Sequence, residues 1–291
     1  MKFVIVSPSF NHKSEGVVVL HELAVDLKTL GFDSRILLID VRDPSYNSFL
    51  TVENAQQLGL ENHNLIIKNS SELSGDDIFI YPEIISGNPL NAKNIVRYFL
   101  NKEKHMTGVA NKIDSSDFIA TFHADFFPEP VFVLSKNTFN LDKLINLDLS
   151  SRDISATYFG KGKIYSDGSV INSTVDLGLF SVKAEYENFL KLAKFVYTYD
   201  PYTGVIRDAI LFGAIPVVLN HSPWSSMEIS RCFFEMPVVD LVDRSNLHYI
   251  HDNFSFLADR ARYIQNIRIS QEGYSEKLIE FVGLVLRHFN I

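Results

Sequence analysis

The feature that most constrains the fold is an alternation of short apolar runs with longer amphipathic segments, which begins at the first residues. "KFVIV" is a short apolar run, and "VVVLHELAVDLKTLG", which follows a polar loop, has apolar residues at helical spacing and ends at Gly31. A second apolar run, "DSRILLID", comes next. Because two parallel strands need a crossover between them, this order predicts a β-α-β unit in a parallel sheet.

The same alternation continues through the first half of the chain. Apolar runs at "NLIIK", "DIFIYPEI" and "DFIATFHADFF" have the composition of strands buried on both faces, and "NAKNIVRYFLN" is predicted to be a helix. From about residue 137 the sequence is rich in Asn, Ser and Asp and has no clear period, which is typical of a linker.

The second half repeats this organisation without repeating the sequence. Strands are predicted at "ATYFGKG", "FVYTY", "IPVVL" and "MPVVDL". Helices are predicted in "EYENFLKLAK", from about Thr203, and in two separate segments near the C-terminus, 246–266 and 274–290. The two halves therefore share an alternating strand–helix architecture.

We predict from this pattern an α/β protein with two Rossmann-like, doubly wound domains that face a cleft. In such sheets, ligands bind at the carboxyl ends of the strands. The predicted domains are residues 1–150 and 151–275, followed by a C-terminal helix at 276–291 that packs back on the N-terminal domain.

Composition restricts the class of protein. Of the 291 residues, 46% are hydrophobic and 21% charged, which is typical of a folded globular chain. A net charge of −8 offers no basic field for nucleic acid, and a single cysteine, Cys232, allows no internal disulfide. There is no signal-peptide pattern and no apolar run of the roughly 20 residues that span a bilayer. The expected location is the cytoplasm.

The stretch "FVYTYDPYTGVIRDAILFGAIPVVL" carries the main candidate site. A strand is predicted to end near Tyr199, a candidate substrate-binding residue, which places Asp200 at the carboxyl end of that strand. Thr203 and Gly204, also substrate-binding candidates, begin the next helix. The free N–H groups and the dipole of a helix N-terminus favour a phosphate. Asp208, one to two turns further on, can accept hydrogen bonds from ribose hydroxyls. The spacing suits a nucleotide-diphosphate sugar, with the hexose towards Asp200.

A plainer interpretation of the same stretch remains open at this point. Aspartate is a common helix N-cap, so Asp200 could cap the helix and Asp208 could be a solvated helix residue.

The stretch resembles the acid–seven residues–acid motif of retaining GT-B glycosyltransferases, especially the bacterial polysaccharide and lipopolysaccharide group. The matching elements are Asp200, Asp208, Ala209, Gly213 and "PVV" at 216–218. Both acids are aspartate where the family usually has glutamate. The resemblance implies that Asp200 is a catalytic residue beside the donor sugar.

Three other segments add to the resemblance. "KSEGVVVLHELAVDLKTLG" is similar to the family's first glycine loop and helix and implies that Gly16 approaches the donor phosphates. "YPEIISGNPLNAKNIVRYFLN" is similar to a family segment and implies substrate-binding roles for Glu83 and Asn88, although Asn88 before Pro89 would also be a good N-cap.

The third segment, "ATYFGKGK", resembles the start of the family's second domain. It implies that Lys161 and Lys163 meet the diphosphate. His123, after a predicted strand, matches a histidine that contacts the donor sugar in retaining members and is a second catalytic candidate. A satisfied structural histidine is the alternative.

Taken together, the resemblance implies a glycosyltransferase that moves a sugar from a nucleotide-diphosphate sugar to a glycan or lipid-linked acceptor. It implies surface polysaccharide synthesis such as O-antigen or capsule, a nucleotide-sugar-binding second domain and an acceptor-side first domain. It implies no cofactor and no metal, and leaves open peripheral association with the inner face of the cytoplasmic membrane. A nucleotide-sugar epimerase of the same fold and a non-catalytic nucleotide-sugar-binding protein are the alternatives.

Other catalytic patterns are missing from the sequence. It contains no HExxH, paired CxxC or GxSxG motif, and "GKGK" lacks the spacing of a Walker A loop. "DSSD" at 114–117 is interpreted as a solvated turn.

Overall fold

The structure, a computed structural model, describes most of the chain and divides it into two compact units. Unit 1 comprises residues 1–136 and 273–291, and unit 2 comprises residues 137–272. The described residues are 1–11, 14–40, 43, 48–50, 63–103, 108–129, 131–137, 141–145, 147–148, 152–166, 174–200, 202–219, 239–240 and 253–291.

Unit 1 contains a seven-stranded sheet with the order β3-β2-β1-β4-β5-β6-β7. Only β3 runs antiparallel to its neighbour. Helix α1 (Glu15–Thr29) connects β1 to β2, as the first β-α-β pattern predicts. The strands are β1 (Phe3–Pro8), β2 (Ser34–Ile39), β3 (Phe49–Leu50), β4 (Ile78–Pro82), β5 (Asn94–Phe99), β6 (Phe118–Thr121) and β7 (Phe132–Val133).

Strand β5 corrects the prediction of a helix at "NAKNIVRYFLN". All six of its residues are buried, and it lies in parallel between β4 and β6. Arg97, a charged residue in the middle of this strand, is 2% exposed and pairs with Asp117 at 2.7 Å. The pairing allows a charged residue to lie in a fully buried strand. "NLIIK", predicted as a strand, makes only a single bridge, from Ile66 to Ile36.

Unit 2 contains a five-stranded parallel sheet. Its strands are β8 (Ile154–Tyr158), β9 (Thr174–Asp176), β10 (Ala193–Thr198), β11 (Ile215–Val218) and β12 (Val239–Asp240). Their order in the sheet is β12-β11-β10-β8-β9. Its helices are α2 (Asp142–Ile145), α3 (Lys183–Leu192) and α4 (Gly204–Phe212), and α5 (Asn253–His288) begins in this unit. The prediction of an α/β protein with two Rossmann-like domains is confirmed.

Helix α4 connects β10 to β11, and local sequence determines both of its ends. Thr203 is the N-cap, and its side chain accepts a hydrogen bond from Val205 N. Gly213 ends the helix with φ of 89°, a left-handed conformation that favours glycine. The helix start therefore lies at the carboxyl edge of the sheet, where β10 ends.

Helix α5 corrects the prediction of two separate C-terminal helices. It is one helix of 36 residues that continues through Gly273. Its residues up to 272 belong to unit 2 and those from Gly273 onward belong to unit 1, where Phe281 contacts Phe118 and Phe132. Glycine inside a helix costs only about 1 kcal/mol, so packing of the flanking turns can keep the helix intact. Within the described ranges, no helix is both long and apolar enough to cross a membrane.

Candidate functional site

The loop from β10 to α4 is ordered by its own polar groups. Thr198 Oγ1 accepts a hydrogen bond from Asp200 N at 3.0 Å and donates one to Asp200 O at 3.1 Å. Asp200 Oδ1 accepts from Tyr202 N at 3.3 Å, and the residue is 1% exposed. Because Thr203 caps α4, the alternative that Asp200 is the cap is wrong. The Asp200 carboxylate instead stabilises the turn that leads into the helix.

The "GKGK" segment packs backbone to backbone against this loop. Residues 160–165 form a 3-10 helix after β8, and Gly160 has φ of +46°. A Cβ on Gly160 would lie 2.7 Å from Asp200 Oδ2, and one on Gly162 only 1.9 Å from Tyr199 O. Real Cβ atoms do not approach other atoms so closely, so both positions require glycine.

This packing brings together candidates that lie about 40 residues apart in the sequence. Phe159 stacks on the Tyr199 ring with centroids 5.6 Å apart and planes 6° apart. Lys163 is exposed and directly follows Gly162. Because Gly162 packs on the backbone of Tyr199 and Asp200, Lys163 lies near the end of β10, where the loop to α4 begins. The side chain of Lys161 lies outside the described part of the structure. A basic loop and a helix N-terminus therefore share one edge of unit 2.

Tyr158 and Asp176 lie at the same edge but were not predicted as site residues. Burial raises the pKa of Tyr158, the nearby charges of Asp200 and Asp176 raise it further, and a hydrogen bond with Thr203 opposes the shift. These four groups are neighbours because β8, β9 and β10 are parallel and end together. Tyr158 and Asp176 are the last residues of β8 and β9, and the sequence around them does not indicate where those strands end.

Asp208 lies one to two turns inside α4 and has two polar partners. Tyr186 Oη, from α3, donates to Asp208 Oδ2 at 3.1 Å, and Arg207 Nη2 lies 3.3 Å from Oδ1. The side chain is 20% exposed. Burial raises the pKa of Tyr186 well above its ordinary value, and the adjacent Asp208 charge adds to the shift. The phenol therefore remains a protonated donor to the carboxylate.

Two of the unit 1 candidates, Gly16 and Glu83, both lie next to Leu100. A Cβ on Gly16, in the first turn of α1, would lie 3.5 Å from Leu100 Cδ1, which is ordinary contact. Glu83 Oε2 accepts a hydrogen bond from Leu100 N at 3.0 Å. Both residues therefore share Leu100 as a neighbour, which directly follows β5.

His123 follows β6 and begins a short 3-10 turn. Its Nδ1 accepts a hydrogen bond from Asp125 N at 3.3 Å and lies 3.8 Å from Asp125 Oδ2. Its side chain is 23% exposed. An accepting Nδ1 places the proton of the neutral ring on Nε2.

Asn88 lies in the connection between β4 and β5. Its Oδ1 accepts from Ala92 N and its Nδ2 donates to Ala92 O, both at 2.8 Å, which closes the turn before β5. Since a strand follows, the alternative interpretation of Asn88 as a helix N-cap is wrong.

The "DSSD" segment combines one exposed and one buried aspartate. Asp114 is exposed, as the prediction of a solvated turn requires. Hydrogen bonds from the backbone and side chain of Ser116 lower the pKa of Asp114. Asp117 is buried against Arg97, so the solvated-turn prediction was wrong for that residue. Among the described residues, no three His, Cys, Asp or Glu side chains are grouped so as to hold a metal ion.

Comparison with known proteins supports the fold. No family model and no curated protein matches the chain. Among solved structures it is similar to the spinosyn forosaminyltransferase SpnP, with a TM-score of 0.50, 10% identity, and coverage of 98% of this chain and 99% of that one. The chain has the two-unit Rossmann-like fold of that enzyme.

Other solved structures are similar at lower scores. MurG of Acinetobacter baumannii has a TM-score of 0.47 and 9% identity, over 99% of this chain and all of that one. SnogD from Streptomyces nogalater has a TM-score of 0.47 and 10% identity, over 98% and 99% of the two chains.

Proposed function

We propose that this protein is a glycosyltransferase that uses a nucleotide-diphosphate sugar as donor. The observation that carries the proposal is the packing of Gly162 on the Tyr199–Asp200 peptide. It brings the lysine-bearing loop to the edge where α4 begins, and Asp208 lies one to two turns further along the same helix. The N-terminus of α4 would bind a phosphate, the lysines would balance the charge of the diphosphate, and Asp208 would accept hydrogen bonds from the ribose. These groups follow one another in the order that a nucleotide-diphosphate sugar requires.

The proposed donor contacts follow from the charge and hydrogen-bonding capacity of each group. The N–H group of Gly204 and the dipole of α4 hold a phosphate at the helix N-terminus, and Lys163 and Lys161 supply positive charge. Asp208 accepts ribose hydroxyls. Because the leaving group is a diphosphate, the same cations stabilise the charge that develops on it in the transition state.

Asp200 receives a different role from the one that the resemblance implies. The residue is 1% exposed and its carboxylate accepts a hydrogen bond from Tyr202 N, so we assign it the role of positioning the turn that leads into α4. His123, which is partly exposed at the end of β6, remains the catalytic candidate. Gly16 and Glu83 are proposed to contact substrate from unit 1, where the acceptor would bind. Asn88 would support this unit through its turn.

The finer parts of the proposal rest on the sequence resemblance. They are transfer with retention, no metal requirement, and a glycan or lipid-linked acceptor in surface polysaccharide synthesis. An acceptor of that kind would be met at the inner face of the cytoplasmic membrane.

A second candidate function is non-catalytic binding of a nucleotide sugar. Burial of Asp200 favours it, because a carboxylate used within the loop is not presented to a reacting sugar. An assay that separates binding from turnover decides between the two.

The test is a thermal-shift panel of nucleosides, nucleoside diphosphates and nucleotide sugars, followed by a transfer assay with the donors that bind. A ligand at 100 times its Kd adds about 2.7 kcal/mol of stability. We expect a nucleoside diphosphate to stabilise the chain far more than its nucleoside. Binding without sugar transfer or donor hydrolysis across a broad acceptor set would support the binding protein, and no stabilisation by any nucleotide would reject both functions.

A further inference from the structure

The Asp208 carboxylate is held from outside its own helix. Tyr186 belongs to α3 and reaches Asp208 Oδ2 at 3.1 Å, whereas Arg207 is the adjacent residue in α4. An aspartate has two side-chain torsions, and a fixed donor on one oxygen limits both. The direction of the remaining lone pairs of the carboxylate therefore depends on where α3 places its phenol.

The hydrogen bond leaves the carboxylate able to bind further donors. An ionised carboxylate has about four acceptor positions, of which Tyr186 and Arg207 occupy two. The side chain is 20% exposed, so part of it remains accessible. Two hydrogen bonds, one from the Tyr186 phenol and one from the Arg207 guanidinium, therefore restrict the orientation of the carboxylate.

We infer that Tyr186 is a positioning residue, which orients the Asp208 carboxylate towards the ribose hydroxyls of the donor nucleotide. This inference rests on the proposed function, since it concerns how the same site recognises ribose. Tyr186 itself touches the acid and need not touch the ligand.

The test uses Tyr186→Phe, which removes one hydroxyl and keeps the ring. The probes are the nucleoside diphosphate among UDP, GDP and dTDP that stabilises the wild type most, and its 2′,3′-dideoxy counterpart. Affinities are measured by titration calorimetry. We expect Tyr186→Phe to weaken binding of the hydroxyl-bearing nucleotide roughly five- to tenfold and to leave the dideoxy nucleotide within about twofold.

A matched control is Tyr197→Phe. Tyr197 is a partly buried tyrosine on β10 of the same unit, and it packs against Phe195 rather than against Asp208. It should leave both affinities unchanged. Thermal melts of the three proteins show whether either variant unfolds.

Different outcomes separate the inference from the proposed function. Equal losses for both nucleotides in Tyr186→Phe would mean that the tyrosine only supports the fold, and no loss would mean that it does not orient the acid; either overturns the inference. If none of the three nucleoside diphosphates binds the wild type, the proposed function itself fails.

Discussion

At the scale of single residues, one part of the candidate site is held together by direct packing of backbone atoms. Gly160 and Gly162 allow the loop after β8 to lie directly on Tyr199 and Asp200. Asp208, by contrast, depends on side chains, since its two oxygens meet Tyr186 and Arg207. Substitutions at the glycines should therefore act on stability, and substitutions at the acid on binding.

Gly162→Ala should destabilise unit 2 by about 2 kcal/mol or more, because its Cβ would overlap a backbone carbonyl that cannot rotate away. Urea unfolding followed by circular dichroism measures this. Gly75→Ala is the matched control, since nothing lies within 4 Å of its Cβ position. Equal stability of the two variants would contradict the tight packing at Gly162.

Asp208→Asn should weaken nucleoside diphosphate binding by about 1.5–3 kcal/mol, because hydrogen bonds to a charged acceptor are the stronger kind. Calorimetric titration checks the affinity, and a thermal melt checks that the fold is intact. Unchanged affinity would show that Asp208 serves only Tyr186 and Arg207.

At the scale of secondary-structure elements, β5 shows how a buried charge is accommodated. The guanidinium of Arg97 pairs with Asp117 and also donates to the backbone carbonyls of Ile85 and Gly87. The strand, the preceding loop and the start of β6 are therefore connected through one side chain. Such a pair is costly to break, because either partner alone would be an uncompensated buried charge.

Asp117→Asn should lower the free energy of unfolding by about 3–5 kcal/mol, since it leaves Arg97 buried without its counter-charge. Asp114→Asn, in the same four-residue segment but exposed, is the control and should change the unfolding midpoint little. Chemical denaturation of both variants makes the comparison. A small effect at Asp117 would mean that the backbone carbonyls alone satisfy Arg97.

At the scale of the whole molecule, one helix belongs to both units. Within unit 1, Tyr274 Oη donates to Asp26 Oδ2 at 3.0 Å, and Lys136 Nζ lies 2.6 Å from the same oxygen. Within unit 2, the buried Arg260 donates hydrogen bonds to two carbonyl oxygens near the end of α4, Ile210 O at 2.9 Å and Leu211 O at 2.6 Å. The two ends of α5 are thus fixed by different units, with Gly273 between them.

Gly273→Ala should stabilise the protein by up to about 1 kcal/mol, because alanine is the better helix former and its Cβ meets no atom within 4 Å. Gly273→Pro should be destabilising by about 3 kcal/mol, since proline removes a helix hydrogen bond. Guanidinium unfolding followed at 222 nm compares them. An alanine variant less stable than the wild type would show that this position needs glycine.

The sequence by itself determined those features whose cause is local. The apolar runs of β1, β4 and β10 predict buried strands, and Thr203 and Gly213 set the ends of α4 because an N-cap hydroxyl and a left-handed glycine act within one turn. Tertiary structure decided the rest. The local sequence does not indicate that Arg97 is buried in a strand, because its partner Asp117 lies 20 residues away along the chain. Gly160 packs against Asp200 only because the parallel strands β8 and β10 bring their carboxyl ends together. Tyr186 reaches Asp208 only because α3 and α4 pack side by side in the folded unit.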